Sequence, residues 1–367
     1  MSRSVSKFCF TFAAALSFAT VATQASAQTA AQDTVRWKMQ SAFGGSLPHL
    51  GTSGVRFSKD IERMSGGKFD VKFFEPGALI PPLECFDSVS KGAVEACWTT
   101  PGYHTGKYPE AAFFTTVPFG PGFGEFLAWK WYGGGNKLRD EIYAKHGLMA
   151  VEAFCIGPET SGWFRKEVKS LKELKGMKMR FFGLGAQVMQ KLGVSTQLLA
   201  AADIYPALER GVIDATEFSM PMMDVKLGFH QIAKFNYFPG WHQQVSCSEV
   251  LMNKAAHDKL PPAYKAMLEV AGQAQVAVTY AESEAMQFDV MAEMRDKHKV
   301  QVKRWTDADL AAFEKAWLEV LQEESAKSPG FKKVADHYLD FRKRYAVWGD
   351  SQFMKPTYLT TKPAAKK

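Results

Sequence analysis

The sequence predicts an α/β protein built from two similar lobes. Three observations carry this. The 367-residue length exceeds what one hydrophobic core comfortably serves. The N-terminal part reads β-α-β-α-β, the order of an α/β lobe. Finally, Lys91-Gly-Ala-Val-Glu-Ala96 parallels Arg210-Gly-Val-Ile-Asp-Ala215. In each repeat a glycine stops a helix, because a left-handed cap carries no Cβ penalty there, and a strand follows. The offset of 119 residues places Trp98 opposite Glu217.

The elements follow in order. Arg3 and Lys7 precede an uncharged, mostly apolar run from Phe8 to Val21, and Ala25-Ser26-Ala27 supplies small residues for a signal peptidase. Residues 1–27 therefore read as an export signal with Gln28 as the mature N-terminus; the run is too short for a membrane anchor. Val35–Ala42, Phe69–Phe74 and Val94–Thr99 read as strands. Helices fill 49–65 and the stretch that Pro81 and Pro82 open and Gly92 closes. Pro118–Gly124 is a loop, and a helix over 125–145 is interrupted at Gly133-Gly-Gly135. Leu148–Ile156 leaves the first lobe. Trp163–Arg165, Met177–Phe182 and Thr196–Leu199 are strands of the second, with helices at 171–175, 185–192 and 203–210. Ser248–Met252 is the return strand. Pro261-Pro262 opens a long helix towards Lys299, able to brace both lobes at about 1.5 Å per residue. Thr306-Asp-Ala-Asp309 resembles a capping box. Leu310, Phe313, Trp317, Val320 and Leu321 form an apolar stripe, read as core, with a homodimer face as the alternative. The lobes are expected at 28–156 plus about 247–285, and at 157–246 plus about 286–345, with a loose tail over 346–367.

Composition narrows the function. At 46% apolar and 23% charged residues the chain is an ordinary globular protein. Losing Arg3 and Lys7 with the signal leaves 43 basic against 38 acidic residues. That excess is scattered and partly in the tail, unlike the concentrated basic face of a nucleic-acid binder. Cys85, Cys97, Cys155 and Cys247 remain after export; they allow three pairings or buried free thiols. The histidines are dispersed, without zinc-type spacing.

Arg180 ends a short apolar strand, where ligands of open α/β sheets gather. Its planar fork suits a carboxylate; the alternative is a surface ion pair. Glu217 occupies the same kind of strand edge, either to neutralise Arg180 or to ligate a hard cation. Glu159 and Glu249 carry no local motif. No GxSxG elbow is present, Gly183-Leu-Gly185 lacks the third glycine of a dinucleotide turn, and no nucleophile pairs with the carboxylates.

Taken together, Phe113-Phe-Thr-Thr-Val-Pro-Phe-Gly120, Gly162-Trp-Phe-Arg-Lys166, Leu174-Lys-Gly-Met-Lys-Met-Arg180, Gly183-Leu-Gly185, Ala207-Leu with Gly211-Val-Ile-Asp-Ala-Thr-Glu217, and Tyr237-Phe-Pro-Gly-Trp-His242 resemble the solute-binding proteins of tripartite ATP-independent periplasmic (TRAP) transporters. The similarity is closest to the branch that binds 2-oxo acids or lactate with a metal ion. It spans nearly all the mature chain. It implies a type II-like, two-lobed periplasmic binding protein with a hinge, crossing strands and a long C-terminal connecting helix. It implies that Arg180 binds the ligand carboxylate, that Glu217, Glu249 and the Phe218 carbonyl ligate the cation, and that Tyr103 reaches the ligand. Partners would be a small organic acid and the TRAP membrane permease. The branch usually has Gln at position 159 and Trp at 218; Glu159 adds a negative charge and favours Ca²⁺ over Na⁺. A receptor serving a sensor, or an exported carboxylate-based enzyme, are the alternative readings.

Overall fold

A computed structural model describes residues 34–352. The signal segment, its cleavage point after Ala27 and the chain beyond Gln352 lie outside the described residues. The described strands are β1 (Val35–Ser41), β2 (Phe69–Phe74), β3 (Ala96–Thr99), β4 (Leu148–Ile156), β5 (Gly162–Phe164), β6 (Lys178–Arg180), β7 (Ser195–Gln197), β8 (Ala215–Thr216), β9 (Phe235–Phe238), β10 (Ser246–Asn253) and β11 (Gln301–Arg304).

They form two sheets, ordered β2-β1-β3-β10-β4 and β11-β9-β5-β8-β6-β7. In the first, β1 runs parallel to β2 and β3, while β10 is antiparallel to β3 and β4. In the second, β6 is parallel to β7 and β8, and β5 is antiparallel to β8 and β9. The chain leaves the first sheet through β4 and returns through β10. These neighbours cross between the lobes side by side, and a Cys155–Cys247 disulfide joins them where the two residues face each other. A second disulfide joins Cys85 and Cys97.

The repeat is visible as matched geometry. Gly92 and Gly211 have φ of 74° and 72°, the left-handed region that glycine enters freely, and Ala96 and Ala215 open β3 and β8. The repeat's next matched position separates the lobes' roles. Trp98 is core, stacked on Phe154 at 5.1 Å, whereas Glu217 lies in a charged cluster.

Several elements differ from expectation. Strands β9 and β11 were not expected. Strand β11 is an edge strand held only through its parallel pairing with β9, and its Gln-Val-Lys-Arg sequence has no apolar alternation to signal it. The helix expected over 261–299 is two helices, Pro262–Ala285 and Gln287–Asp296. The Gln287 side chain donates to the Ser283 carbonyl, which its own backbone N–H would use in an unbroken helix. The segment 125–145 contains a π-turn, Ala128–Tyr132, before Gly134 at φ 96°. The Thr306–Asp309 capping box forms in both directions. In its helix Phe313, Trp317 and Val320 are buried, and Phe313 stacks on Trp241 at 4.7 Å, so this stripe is core. A further helix, Pro329–Ser351, enters the segment expected as tail. Its Phe331 and Tyr338 pack on Phe113, a residue expected in the first lobe.

Candidate functional site

Strand ends of the second sheet bring the site together. Strand β6 ends in Arg180 and the adjacent β8 runs into Glu217, with Arg180 paired in register to Thr216. Glu159 follows β4, and its backbone N–H bonds to the Gln243 carbonyl at 3.1 Å, just ahead of β10. Gly240 permits this approach: a Cβ there would stand 2.1 Å from the Glu159 carbonyl oxygen.

A cavity of about 30 Å³ lies between the lobes, room for only a few water-sized groups. Arg180, Glu159, Gln243, Phe218 and Phe182 line it from the second lobe and its connections, and Tyr103, Thr100 and Phe43 from the first. Tyr103 meets Phe182 edge to face across it, at 5.6 Å. Arg180 is 1% exposed. Its Nη1 donates to the Glu217 backbone carbonyl and to Glu217 Oε2 (3.2 Å), and Nε donates to the Leu199 carbonyl at 3.3 Å. Among the described residues no acceptor meets Nη2. The guanidinium lies 5.2 Å from the Phe218 ring centre. Arg180 is thus held on one edge and free on the other, as a carboxylate receptor requires.

Glu217 Oε2 also accepts the Phe182 N–H at 2.8 Å, while Oε1 has no partner among the described residues. Glu159 Oε1 accepts from Ser219 Oγ at 3.3 Å, and Oε2 has no partner among the described residues. Burial pushes the Glu217 carboxyl up, but Arg180, then the nearby His242 and the Phe182 N–H, outweigh it and hold the group below the usual range. Burial, then Glu217 and Asp224, push the Glu159 carboxyl well above the usual range. Burial likewise lifts Asp224 to about 8 and Tyr103 to about 12. The Tyr103 hydroxyl is therefore a neutral donor at neutral pH.

The structure brings Arg180, Glu159, Glu217, Phe218 and Tyr103 to one place. Glu249 does not join them. Ser246 and Ser248 line the cavity, and side chains of a strand alternate between faces. Glu249 therefore points away, where it accepts the Tyr143 hydroxyl at 2.7 Å within the field of Arg139, Lys130 and Glu152. Its expected role as a cation ligand is corrected on this geometry.

Two other polar residues stand near the carboxylates: His242, singled out by sequence only as part of a motif, and Gln243, not singled out at all. His242 Nε2 lies 3.7 Å from Glu217 Oε1 and 3.8 Å from Glu159 Oε2. These three groups each place a ligand atom within 4.8 Å of the others. Gln243 is 2% exposed, with its Oε1 unpartnered among the described residues. The available signal was a polar pair, His242-Gln243, in a loop rich in Gly and Trp just before a buried strand. The Phe218 carbonyl meets no donor among the described residues. Unpartnered buried oxygens around two carboxylates fit a hard cation.

Comparison with known proteins agrees. Residues 45–328 match the family model for bacterial extracellular solute-binding protein, family 7 (DctP). A monocarboxylate 2-oxoacid-binding periplasmic protein of Nostoc sp. is 34% identical over 327 residues, 89% of each chain. A TRAP transporter solute-binding protein from Bordetella bronchiseptica, a mixed-occupancy dimer with copurified calcium and picolinate, superposes with a TM-score of 0.84 at 33% identity, over 87% of this chain and 95% of that one. A TRAP solute-binding protein from Pseudoalteromonas atlantica with bound sodium and pyruvate gives 0.83 at 29% identity, over 87% and 97%. With the two-lobed α/β fold and the Arg180 site, these matches make the chain a member of the DctP family of TRAP transporter solute-binding proteins.

Proposed function

We propose that the protein is a periplasmic, non-enzymatic receptor that captures a small monocarboxylate together with a divalent cation and passes it to a TRAP membrane permease. One observation carries this: a cavity whose only lining cation among the described residues is Arg180, with two carboxylates beside it. Arg180 Nη2 takes the ligand carboxylate and the Tyr103 hydroxyl donates to it or to its neighbour. With a single lining cation, a second ligand carboxylate would be desolvated without a partner, so dicarboxylates are rejected.

Glu159, Glu217, the Phe218 carbonyl and Gln243 Oε1 would hold the cation. When bound, it supplies charge neutralisation and polarises a ligand donor α to the carboxylate. Once the ion has displaced the Glu159 proton, two carboxylates and the acid's own charge outweigh Arg180, so a divalent ion balances the site better than a monovalent one. Ca²⁺ is therefore favoured, with Na⁺ as the alternative. A 2-oxo or 2-hydroxy acid, and an aromatic acid with a ring nitrogen in that position, share this chelating pattern. Pyruvate and picolinate, the acids bound by the relatives, both have it.

Calorimetry in chelator-treated buffer tests this. Pyruvate should bind weakly with Na⁺ alone and tightly after Ca²⁺, and Glu159→Gln should reduce the difference. Full affinity in Na⁺ alone rules out the divalent reading. Unchanged pyruvate by NMR after long incubation is expected of a receptor; a product peak means an enzyme. Export is tested by mass spectrometry of periplasmic protein, which should begin at Gln28. We also infer a homodimer, on the precedent of the Bordetella relative; a monomeric mass in sedimentation overturns that.

A further inference from the structure

His242 is the one group of the cation cluster that cannot be explained as an oxygen ligand. It is 1% exposed, and among the described residues neither ring nitrogen has a hydrogen-bond partner. The gaps of 3.7 and 3.8 Å to Glu217 Oε1 and Glu159 Oε2 are too long for hydrogen bonds. Both of those oxygens are themselves unpartnered. A buried imidazole and two buried carboxylate oxygens thus converge without touching, all within 4.8 Å of one another.

The imidazole orientation is imposed from outside the cluster. The Phe181 ring packs on it at 4.9 Å and the Trp241 ring at 5.5 Å. The missing Cβ of Gly185 leaves room for it, since a Cβ there would lie 2.9 Å from His242 Cβ. The ring is therefore aimed at the acids by packing rather than by pairing.

We propose that His242 Nε2 is a third side-chain ligand of the cation, so that the site accepts borderline divalent ions such as Mn²⁺ and Co²⁺ and holds Co²⁺ more tightly than Ca²⁺. The chemistry is that of the donor set. Ca²⁺ takes oxygen ligands almost exclusively, whereas an imidazole nitrogen suits first-row transition ions, with affinity rising from Mn²⁺ to Co²⁺. With neither ring nitrogen engaged, Nε2 is free to be the deprotonated one, as a ligand must be. This inference rests on the reading of the cluster as the receptor's cation site.

The test uses metal-free full-length mature protein, saturating pyruvate, and Ca²⁺, Mn²⁺ or Co²⁺ titrated by calorimetry into wild type and His242→Gln. Co²⁺ should bind wild type at least about tenfold more tightly than Ca²⁺. His242→Gln should cut that ratio by about tenfold or more. Its effect on Ca²⁺ should stay within about threefold, because the amide offers Ca²⁺ an oxygen. Pulsed EPR of the Mn²⁺–pyruvate complex should show imidazole ¹⁴N modulation in wild type and none in the variant. Equal loss of Ca²⁺ and Co²⁺ affinity would mean that His242 only supports the fold, and would overturn the proposal. So would a Mn²⁺ complex of wild type without nitrogen coupling, a result that needs no variant to fold. Pyruvate binding that depends on Ca²⁺ but leaves no nitrogen signal keeps the receptor reading and sinks this one; pyruvate binding that no cation affects sinks both.

Discussion

At the scale of single residues, Arg180 is the anchor. Three protein acceptors hold its Nε and Nη1 edge, so the direction of Nη2 is set before any ligand arrives. Lysine keeps the charge but has no fork to share between protein and ligand. Arg180→Lys should weaken pyruvate binding by about 1.5–3 kcal/mol, roughly tenfold to a hundredfold, with circular dichroism unchanged; equal affinity would remove the assignment. Glu249 makes the opposite prediction for binding. Because its carboxylate bonds to Tyr143 on the far face of β10, Glu249→Gln should leave cation affinity unchanged, while Glu217→Gln abolishes it. Its effect is on stability. Burial lifts the Glu249 carboxyl from 4.5 to about 7. The folded state then holds more protons than the unfolded one between those values, so stability falls as pH rises through that window. The loss is up to about 3 kcal/mol. Denaturant melts from pH 4.5 to 8 should show a shallower fall in Glu249→Gln; an identical profile would mean the group does not titrate there.

At the scale of elements, the two crossing strands decide how the site is assembled. Strand β4 runs into Glu159, and β10 starts just after Gln243. The Cys155–Cys247 bridge joins residues 92 apart, against 12 for Cys85–Cys97. In the chain-entropy account the longer loop constrains the unfolded chain more, by about 2 kcal/mol. Replacing Cys155 and Cys247 together by serine should therefore cost more stability than replacing Cys85 and Cys97. Urea melts of the two double variants measure this, and equal losses would contradict the loop-length account. These strands also show which parts of the fold were legible. The first lobe's strands announce themselves as short apolar runs between turn residues, and the paired Gly92 and Gly211 caps are visible as a sequence repeat. Strand β11 has no such signal, and the break at Met286 follows from a side-chain hydrogen bond that helix periodicity does not encode.

For the whole molecule, residues of both lobes line a cavity of only about 30 Å³, so lobe movement on binding is the expected outcome. Small-angle scattering should show a smaller radius of gyration with pyruvate and Ca²⁺ than without; an unchanged radius at saturation counts against closure. Gly102 tests the closed contact from within. A Cβ there would stand 2.0 Å from Phe182 Cζ, in the opposite lobe. Gly102→Ala should hold the lobes apart, weakening pyruvate binding by about tenfold or more and abolishing the scattering change, with little effect on the melting of the unliganded protein.

Much was determined by sequence alone: the α/β class, the two-lobe repeat, and the placement of Arg180 and Glu217 each at a strand end. These follow from local patterns, namely apolar periodicity, glycine caps, and the rule that strand ends carry the ligands. The membership of the charged cluster was decided only by tertiary structure. Glu249 sits on a strand whose register, not its composition, turns it to the far face, where Tyr143 and Arg139 stabilise it. Glu159, His242 and Gln243 come from two chain segments that meet only because β4 and β10 cross together and glycine at 240 lets the backbones touch. Side-chain direction in a buried strand and contact between distant loops depend on packing of the whole chain, and no short stretch of sequence contains that information.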